Sequence, residues 1–439
     1  MKEKNPYFKR LIDDTLDRKT KAFNAINIVG PKGCGKTRSA KERSKTIIEF
    51  QDEEKKEAYI SVAETKPSLL LNNEKPILFD EWQDVPQIWG AIRKNCDDNP
   101  EDIGSYYLTG SSSKHINTSH TGTGRISELQ MYPMTLFETE ESNGKISLTE
   151  LIESPNINID GIKTDTSLEQ LIFAICRGGW PRTLLIKNKN AKLDVAYDYH
   201  NQIIKKDISS IDNVKRNEEL AKTIIWSYAR NIATITKQKT LYEDVKVNFD
   251  ISLPTFNSYV EALKKLYVIK DIDAWCPQIR SKTAIRSAKK HIFIDPSIAI
   301  ASLGIGPDYF NNDFDLFGHV FENEILRDLC AFASLHDASV LHYHDDFGIE
   351  IDAIYQLRNG KYALIEIKRG VYAVKDAEET LISFVGMIKK HNINIKKDTK
   401  HPGVEYRLPE QLIIVVANLD MAYTTKNGVK VIPACCLKD

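Results

Sequence analysis

Three short apolar runs stand out in the first third of the chain, and each ends at small or polar residues. They are FNAINIV at 23–29, ILF at 77–79 and YYL at 106–108. Runs of this length, bounded by turn-forming or polar residues, are typical of strands that are buried on both faces. The pattern therefore predicts an open α/β sheet with ligand-binding residues beyond the carboxyl ends of its strands.

The middle of the chain changes to a helical period. Three helices are predicted, in NEELAKTIIWSYARNIA, LYEDVKVNF and SLPTFNSYVEALKKLYVI. The third is expected to begin after the N-cap Ser252, with Pro254 in its first turn. Its apolar positions have helical spacing and are Phe256, Tyr259, Val260, Leu263 and Leu266. The segments KDIDAW and KKHIFID then predict a two-stranded ribbon, so the region has the outline of a winged helix.

The last third returns to strand-like alternation. In FGIEIDAIYQLRNGKYALIEIK, apolar and polar residues alternate on both sides of the turn RNG, which predicts a β-hairpin. Helices are predicted before it in GHVFENEILRDLCAF and after it in ETLISFVGMIKKH, and QLIIVVAN is a later strand. The predicted fold class is therefore α/β at both ends of the chain, with a helical middle region.

Length and composition limit the number of domains and the cellular location that the sequence allows. A chain of 439 residues with 42% hydrophobic residues is long enough for two or three cores. The seven cysteines form no CxxC pair, which fits a reduced cytoplasm. The first residues have no apolar signal region, and no apolar stretch reaches the roughly 18 residues that a membrane span needs. We therefore expect a cytoplasmic protein without a membrane segment.

The segment GPKGCGKT follows the first predicted strand and fits the P-loop pattern G-x-x-x-x-G-K-[ST]. Backbone amides between its glycines would hold phosphates at the start of a helix, predicted in TRSAKERSKTII. Lys36 would reach the β- and γ-phosphates, and the Thr37 hydroxyl would bind Mg²⁺. The expected ATP-binding residues are Gly30, Pro31, Lys32, Gly33, Cys34, Gly35, Lys36 and Thr37.

Acidic and hydroxyl side chains follow the next two predicted strands. Asp80 is the candidate for holding Mg²⁺, and Glu81 for orienting or polarising the attacking water. After the third strand, the hydroxyls of Thr109 and Ser111 would contact the γ-phosphate or the water. A serine-rich loop without such a role is an equally good interpretation of that segment.

Arg125 lies in TGTGRISELQ, between a glycine and an apolar stretch. An arginine beside the phosphates would neutralise charge in the transition state, from its own subunit or from a neighbour. A neighbouring subunit would make the protein a homo-oligomer. A surface arginine without a catalytic role is an almost equally good interpretation.

Four stretches together carry a resemblance to a known family. GPKGCGKT, ILFDEWQDVPQIW, YLTGSSS and GRISELQMYPMTLFE occur in the order and spacing of predicted AAA+-type ATPases of bacteria and archaea. In that family an uncharacterised C-terminal domain follows the ATPase, and the resemblance implies use of ATP and Mg²⁺. The family's Asp-Glu-x-Gln-x-x-Pro signature is matched at Asp80, Glu81, Gln83 and Pro86. The chain departs from the family at Lys32 and Gly33, where Arg-Gln is usual, which leaves phosphate binding by main-chain amides intact.

The formal net charge is −1, so any surface for nucleic acid must be local. Such a basic cluster lies on the predicted ribbon, without an acidic residue among its members, and consists of Arg280, Lys282, Arg286, Lys289 and Lys290. A cluster of this kind can neutralise phosphates, so DNA is an expected partner. Winged helices also serve as adaptors, so a protein partner is an equal alternative.

The predicted C-terminal hairpin carries a second candidate site. Glu366 and Lys368 lie two residues apart and share one face of their strand, and Asp352 on the partner strand can reach that face. This set resembles the D…E-x-K site of the PD-(D/E)xK nuclease superfamily. The resemblance implies that Asp352 and Glu366 bind a metal ion while Lys368 positions or activates water. Glu322, in the first turn of the preceding helix, would add an acid; plain cross-strand ion pairing is the simpler alternative.

These predictions divide the chain into four parts. They are an AAA+-like ATPase domain at 1–140, a helical lid or linker at 141–215, a winged-helix-like domain at 216–300 and a nuclease-like domain at 301–439. The polar segment SNGKISLTELIESPNINIDGIKTDTS predicts a linker or an exposed hairpin, and the family-like turn GGWPR suggests the lid.

Two functions are compatible with this organisation. The first is a DNA-processing enzyme in which ATP hydrolysis gates metal-dependent cleavage of phosphodiester bonds. The second is a nucleotide-switched adaptor that binds DNA or a protein partner and cleaves nothing. A small-molecule phosphotransferase is less compatible, because Asp80 and Glu81 follow the second predicted strand as they do in ATPases.

Overall fold

The protein is described here by a computed structural model that covers residues 6–110, 122–212, 214–276, 288–345, 348–397 and 404–439. Its strands, in chain order, are β1 (Ala25–Val29), β2 (Thr46–Glu49), β3 (Ile77–Asp80), β4 (Tyr106–Gly110), β5 (Ile126–Gln130), β6 (Ile146–Ser147), β7 (Ile269–Ile272), β8 (Lys290–Phe293), β9 (Ser339–His344), β10 (Glu350–Gln356), β11 (Tyr362–Gly370), β12 (Gln411–Asn418), β13 (Tyr423–Thr424), β14 (Lys430–Pro433) and β15 (Leu437–Lys438).

The helices alternate with these strands at both ends of the chain and dominate its middle. They are α1 (Ile12–Lys19), α2 (Lys36–Lys41), α3 (Lys56–Thr65), α4 (Gln87–Asp98), α5 (Leu148–Glu153), α6 (Leu168–Arg177), α7 (Pro181–Leu184), α8 (Lys189–Gln202), α9 (Ile208–Ser210), α10 (Glu218–Arg230), α11 (Gln238–Lys246), α12 (Leu253–Lys265), α13 (Pro296–Leu303), α14 (Phe314–His336) and α15 (Val374–Lys397). A π-helical turn at Ile203–Asp207 joins α8 to α9. Within the residues described, no helix combines the length and the apolar character that a bilayer crossing requires.

The first sheet brings the three predicted strands together. In the described part of the chain its order is β2-β3-β4-β1-β5, and all neighbouring strands are parallel. Alternate residues of one strand belong to different apolar clusters: Ile77 and Phe79 to one, Leu78 to the other. Because successive side chains point to opposite faces, both faces of the sheet are covered. The predicted α/β sheet is confirmed, and its strands are parallel.

The helix after β1 is shorter than predicted. It ends at Lys41, and Thr46–Glu49 form the edge strand β2, which pairs in parallel with β3. The β-branched residues Thr46, Ile47 and Ile48 suit a strand, and pairing with β3 outweighs their local helical pattern. The prediction of one helix through TRSAKERSKTII is therefore wrong in its second half.

The middle region contains the predicted helices and ribbon. The helices are α10, α11 and α12, and the ribbon consists of β7 and β8, which are antiparallel. The Ser252 side chain caps α12 by accepting a hydrogen bond from the Thr255 amide. The predicted apolar stripe is buried at Phe256, Tyr259, Val260, Leu263 and Leu266. These elements are confirmed, and their action as a DNA-binding winged helix stays a prediction.

The second sheet lies in the last third of the chain. In the described residues its order is β13-β14-β12-β11-β10-β9, with β9, β10 and β11 antiparallel and β12 parallel to β11. The predicted hairpin is β10 and β11, and the predicted flanking helices are α14 and α15. Helix α14 begins at Phe314, so Glu322 lies in its third turn and not in the first turn, as the sequence had suggested.

The segment predicted as an exposed linker instead packs against the C-terminal sheet. Strand β6 pairs in parallel with β15, and the Asp439 carboxylate accepts a hydrogen bond from the Thr149 amide at 3.0 Å. The Gln411 side chain donates to the carbonyl oxygens of Leu151 and Pro155 at 3.1 and 2.8 Å. The backbone of this segment therefore forms hydrogen bonds with residues that are far away in the sequence.

A buried arginine on α14, Arg327, connects segments that are far apart in the sequence. The Arg327 side chain is 1% exposed, lies 3.3 Å from Asp295 Oδ2 and 2.8 Å from Asp328 Oδ1, and is also paired with Glu324. Both aspartates bind backbone of other segments. Asp328 accepts the amide of Leu136 at 3.0 Å, and Asp295 accepts the amide of Gly179 at 2.8 Å. We call these four charged side chains, Arg327, Glu324, Asp328 and Asp295, the arginine hub.

Gly179 packs against the backbone after β5, and we expect Gly179→Ala to destabilise the fold. A Cβ there would lie 2.1 Å from the Met134 carbonyl oxygen and 2.7 Å from Arg327 Nη1. Overpacking of this kind costs about 1–3 kcal/mol, measurable as a lower urea midpoint. The control is Gly386→Ala in α15, where a Cβ has no described heavy atom within 4 Å. The control should be neutral or stabilise by up to about 1 kcal/mol, and equal midpoints for both variants would contradict the prediction.

Candidate functional site

The loop from Gly30 to Gly35 turns sharply between β1 and α2. Its three glycines have positive φ, which favours glycine over residues with a Cβ. At Gly30, a Cβ would also lie only 2.2 Å from the Met131 carbonyl oxygen. Gly33, by contrast, has no described heavy atom within 4 Å of such a Cβ, so this side of the loop is open. The backbone therefore leaves room for an anionic ligand to approach its amides.

Three other residues of the loop are Pro31, Lys32 and Cys34. The Cys34 thiol is buried beneath the loop, 3.8 Å from the Met131 carbonyl oxygen. Pro31 has no backbone N–H to donate. The Lys32 ammonium lies 2.6 Å from Asp207 Oδ1, in the π-helical turn of the middle region. Any contact of Pro31 or Cys34 with a nucleotide would therefore involve main-chain or ring atoms and not a polar side chain.

The Lys36 side chain is folded across the loop. Its ammonium group donates hydrogen bonds to the carbonyl oxygens of Gly30 at 2.9 Å and Pro31 at 2.8 Å. The residue is 5% exposed, so the charge is held close to the backbone that would surround a phosphate. A buried ammonium that donates to carbonyl oxygens is well placed to exchange them for phosphate oxygens.

Thr37, Asp80 and Thr109 meet at the carboxyl ends of the strands. The Thr37 hydroxyl donates to Asp80 Oδ1 at 2.7 Å, and the Thr109 hydroxyl donates to the same oxygen. Burial raises the pKa of Asp80, and the hydroxyls of Thr109 and Thr37 oppose this rise. A hydroxyl and a carboxylate oxygen side by side are donors that Mg²⁺ binds in proteins, so these residues fit the ion. The structure therefore brings together three of the predicted site residues.

Glu81 has a strained backbone, with φ 54° and ψ 43° in the left-handed region. The Gln83 side-chain amide donates a hydrogen bond to its carboxylate. The Oε1 atom of Gln83 is buried and lacks a hydrogen-bond partner among the described residues. The sequence marked Gln83 as part of a family signature but gave no sign of this contact. Gln83 fixes the orientation of the carboxylate that was predicted to act on water.

Arg125 is not beside the loop of its own chain, so that part of its prediction is wrong. Its carbonyl oxygen accepts the amide of Ala25, the first residue of β1, whereas Gly30 follows the opposite end of the strand. The two ends of β1 are separated by roughly 13 Å, from the rise of a strand per residue. The Arg125 side chain pairs with Asp97 on α4. Ser111 lies outside the described residues.

The second predicted site forms a compact set of charges. We call Glu322, Glu350, Asp352 and Glu366 the acidic cluster. Lys368 Nζ lies 2.9 Å from Asp352 Oδ2 and 2.6 Å from Glu366 Oε2. The Asp352 carboxylate also accepts the Ile367 amide at 2.7 Å, which fixes β10 to β11 beside the lysine. The hairpin thus brings Asp352, Glu366 and Lys368 together, as the spacing of the residues predicted.

Lys290 enters this cluster from the ribbon and is 1% exposed. Its Nζ lies 2.5 Å from Glu322 Oε1, 3.3 Å from Glu350 Oε1 and 3.9 Å from Asp352 Oδ1. Within the described ranges, no group of three or more His, Cys, Asp or Glu side chains is arranged to hold a metal ion. The prediction that Glu322, Asp352 and Glu366 form a metal site is therefore wrong for this arrangement, because the Lys290 ammonium, which the D…E-x-K pattern does not include, lies among the carboxylates.

The carboxyl groups of the cluster differ in their electrostatic environment. Burial raises the pKa of Glu366 to about 8, and the nearby Asp352 adds to the shift. Burial also raises the pKa of Glu322 to about 7, although Lys290 opposes the rise. For Asp352, burial acts in the same direction, but Lys368 and Lys290 outweigh it and lower the pKa. The Oε1 atom of Glu366 is buried and has no hydrogen-bond partner in the described part of the chain.

The predicted basic surface of the ribbon is only partly within the described residues. Arg280, Lys282 and Arg286 lie outside them. Lys289 pairs with Asp273 at 2.8 Å, and Lys290 is buried in the acidic cluster. The expectation that Lys290 contacts DNA phosphates is therefore wrong in this arrangement, since its ammonium faces carboxylates and not solvent.

Comparison with protein families divides the chain into three matched regions. Residues 22–140 match the family model described as an AAA domain. This N-terminal region, which contains the P-loop pattern, is therefore similar to an AAA domain. Residues 168–309 and 317–437 match two models that are each described as a domain of unknown function, DUF8612 and DUF4143.

Individual proteins that are similar to this chain include one protein compared by sequence and one compared by structure. An uncharacterized protein of Methanocaldococcus jannaschii is 26% identical over 213 residues, which are 46% of this chain and 44% of that protein. The chain therefore matches less than half the length of this curated relative. A Walker-type ATPase of Pyrococcus abyssi is 13% identical in a structural match that covers 68% of this chain and 96% of that one, with a TM-score of 0.39.

The loop at residues 30–37 is in direct contact with the regions around it. Besides the Lys32–Asp207 ion pair, the Arg10 guanidinium donates to the carbonyl oxygens of Cys34 and, at 2.9 Å, Tyr132. Asp207 closes a π-helical turn, a distortion that is frequent at functional sites. A movement of the loop would therefore change its contacts with the π-helical turn after α8 and with the segment after β5.

Proposed function

We propose that the protein is a Mg²⁺-dependent ATPase in which the nucleotide acts as a switch for the C-terminal half. The observation that carries this proposal is the convergence of the Thr37 hydroxyl and the Asp80 carboxylate at 2.7 Å, at the opening of a glycine-rich loop. This combination supplies hard oxygen donors for a cation beside backbone amides for phosphates. The match of residues 22–140 to an AAA domain supports it independently.

The residues of the site would have separate roles in ATP binding and hydrolysis. The amides of the loop and the Lys36 ammonium would bind the phosphates, with Lys36 leaving the carbonyl oxygens of Gly30 and Pro31. Thr37 and Asp80 would hold Mg²⁺, whose charge favours the transfer of the terminal phosphoryl group. Glu81 would orient the attacking water, and Gln83 would set the direction of the Glu81 carboxylate.

Binding of a fluorescent ATP analogue and release of phosphate, both with and without Mg²⁺, test the proposal. We expect tight binding only when Mg²⁺ is present, together with phosphate release that depends on it. Absence of binding to purified full-length protein would end the ATPase proposal and every inference about switching.

Glu81→Gln separates binding from chemistry. We expect ATP affinity within a few-fold of the wild type and turnover lowered by about 10²–10⁴-fold, because the amide cannot accept a proton from water. The measurements are analogue affinity and steady-state phosphate release. Glu74→Gln is the control, because Glu74 is an exposed partner of Lys45 and should leave both values unchanged. A Glu81→Gln variant with wild-type turnover would remove Glu81 from the mechanism.

For the C-terminal half, we propose an adaptor that binds DNA or a protein partner and does not cleave. Lys290, which the D…E-x-K pattern does not include, lies among the carboxylates of the acidic cluster, and this supports an adaptor better than a metal-dependent nuclease. Incubation of plasmid and branched DNA with Mg²⁺ or Mn²⁺, using the wild type and Glu366→Ala, decides between them. We expect no cleavage by either protein. Nicking by the wild type alone would establish the nuclease.

A salt titration of DNA binding tests the adaptor. Binding that does not depend on salt, or absence of binding, favours a protein partner.

A further inference from the structure

Lys290 belongs to a different part of the fold from the carboxylates that surround it. It is the first residue of β8 in the ribbon, whereas Glu322 is on α14 and Asp352 is on β10. A lysine ammonium that is 1% exposed must be compensated by partners, because an isolated buried charge is very costly. Three carboxylates within 4 Å provide this compensation.

The position of Lys290 is fixed by neighbouring contacts. The side chain of Asn323, next to Glu322, accepts the Phe293 amide at 2.7 Å and donates to the Phe293 carbonyl oxygen at 2.9 Å. A second tie runs between the His342 ring and the Ala288 carbonyl oxygen at 3.0 Å. Contacts on both sides of Lys290 thus hold the ribbon to α14 and β9, so the lysine is a built part of the cluster and not a surface side chain that happens to reach it.

The cluster contains more carboxyl groups than lysines. Four carboxyl groups face the ammonium groups of Lys290 and Lys368. Glu366, whose side chain is 4% exposed, has an Oε1 atom without a hydrogen-bond partner in the described residues. An unpartnered buried carboxylate oxygen beside other carboxylates marks a place where a further cation would be stabilised.

We propose that Lys290 takes the place of a divalent cation in the acidic cluster, and that removing its charge turns the cluster into a cation site. The ribbon thereby controls whether the C-terminal half can bind a metal ion. This inference goes beyond ATP hydrolysis and does not depend on it. It also explains why the acidic side chains resemble a metal site in the sequence and do not form one in the fold.

Lys290→Met, which keeps most of the side-chain volume and removes the charge, tests the proposal. Mn²⁺ binding to the full-length, nucleotide-free protein is counted from the loss of the free-ion electron paramagnetic resonance signal. We expect the variant to bind one Mn²⁺ per chain more than the wild type, with at least about tenfold higher affinity for that ion, because the carboxylates have lost their buried partner. The added site should disappear in Lys290→Met/Glu366→Gln.

Three further variants serve as controls or as a substitute for Lys290→Met. Lys289→Met removes the adjacent exposed lysine, which pairs with Asp273, and should bind Mn²⁺ like the wild type. Lys290→Arg keeps the positive charge and should also add no site. Lys290→Gln retains a hydrogen-bond donor for Glu322 and serves if the methionine variant does not fold. In a thermal unfolding series, Mn²⁺ should raise the midpoint of the Met or Gln variant well beyond that of the wild type.

Two outcomes would overturn the proposal. The first is a wild-type protein that already binds this Mn²⁺ through Glu366, which would mean that Lys290 does not exclude the ion. The second is a folded Lys290→Met or Lys290→Gln protein with no added site. Neither result bears on ATP binding, which is measured separately, so failure here is distinguishable from failure of the ATPase proposal.

Discussion

Replacing Lys36 with alanine is expected to lower ATP turnover by about 10³-fold or more, because the ammonium is the main cationic side chain at the phosphates. Lys36 is buried against the loop, and its ammonium donates hydrogen bonds to the carbonyl oxygens of Gly30 and Pro31. Alanine would leave those carbonyl groups without their donor and the terminal phosphates without a counter-charge. We expect ATP affinity to fall together with turnover, which distinguishes this variant from Glu81→Gln.

Lys45→Ala is the matched control, because Lys45 lies in the same domain and pairs at the surface with Glu74. Steady-state phosphate release and binding of a fluorescent analogue measure both effects. The control should remain within about twofold of the wild type, as exposed ion pairs contribute little. A Lys36→Ala protein with turnover within tenfold of the wild type would show that the loop does not bind phosphate as proposed.

The arginine hub is expected to give the largest effect on stability. Arg327→Leu would leave the carboxyl groups of Glu324, Asp328 and Asp295 buried without their cation. Breaking a buried pair in this way costs about 3–5 kcal/mol, a large fraction of the stability of most proteins. The expected result is a much lower urea midpoint or failure to fold at 37 °C. Neutralising one acid as well, in Arg327→Leu/Glu324→Gln, should recover part of the loss.

Arg358→Leu is the control, since Arg358 is 83% exposed and 3.9 Å from Asp337. Its midpoint should be nearly unchanged. An Arg327→Leu midpoint equal to that of this control would mean that the hub contributes no net stability.

The pH dependence of the Arg327→Leu variant provides a second check. Burial raises the pKa of Asp328 from 3.8 to about 6 even with Arg327 in place, so the folded protein holds this proton more tightly than the unfolded chain. The contribution of Asp328 to stability is therefore fully present below pH 3.8 and falls as the pH rises toward 6. Without Arg327 the pKa should rise further. The destabilisation of the variant should accordingly be larger at pH 7 than at pH 5.

Local chemistry made the nucleotide site predictable. The glycines, Lys36 and Thr37 follow one another in the chain, and the conformations that they require depend on a few adjacent residues. Asp80 and Thr109 were predictable because each follows an apolar run, and the carboxyl ends of parallel strands meet at one edge of a sheet. The same local signals gave α12, the ribbon and the C-terminal hairpin.

Contacts between distant residues decided the features that the sequence did not reveal. Lys290 appeared as one member of a basic stretch, and only packing of the ribbon on α14 turns it toward carboxylates. Arg125 follows a glycine-rich segment, but it directly precedes β5. The register of β5 with β1 places it at the amino-terminal ends of the strands, whereas the loop lies at their carboxyl ends. The polar segment around Thr149 resembled a linker because its partners, including Asp439, are almost 300 residues away. Hydrophobic period and turn chemistry carry no information about such pairings.

Dividing the protein into separately produced fragments would break its largest apolar core. Residues from Tyr132 to Leu437 contribute to that core, and helix α6 packs on β12 of the C-terminal sheet. A piece starting at residue 301, where the sequence alone suggests a border, would keep β15 but lose its partner β6. It would also bare an apolar face and an open strand edge, both of which favour aggregation. Biochemical work on the C-terminal half therefore needs the intact polypeptide, with activities separated by point substitutions and not by truncation.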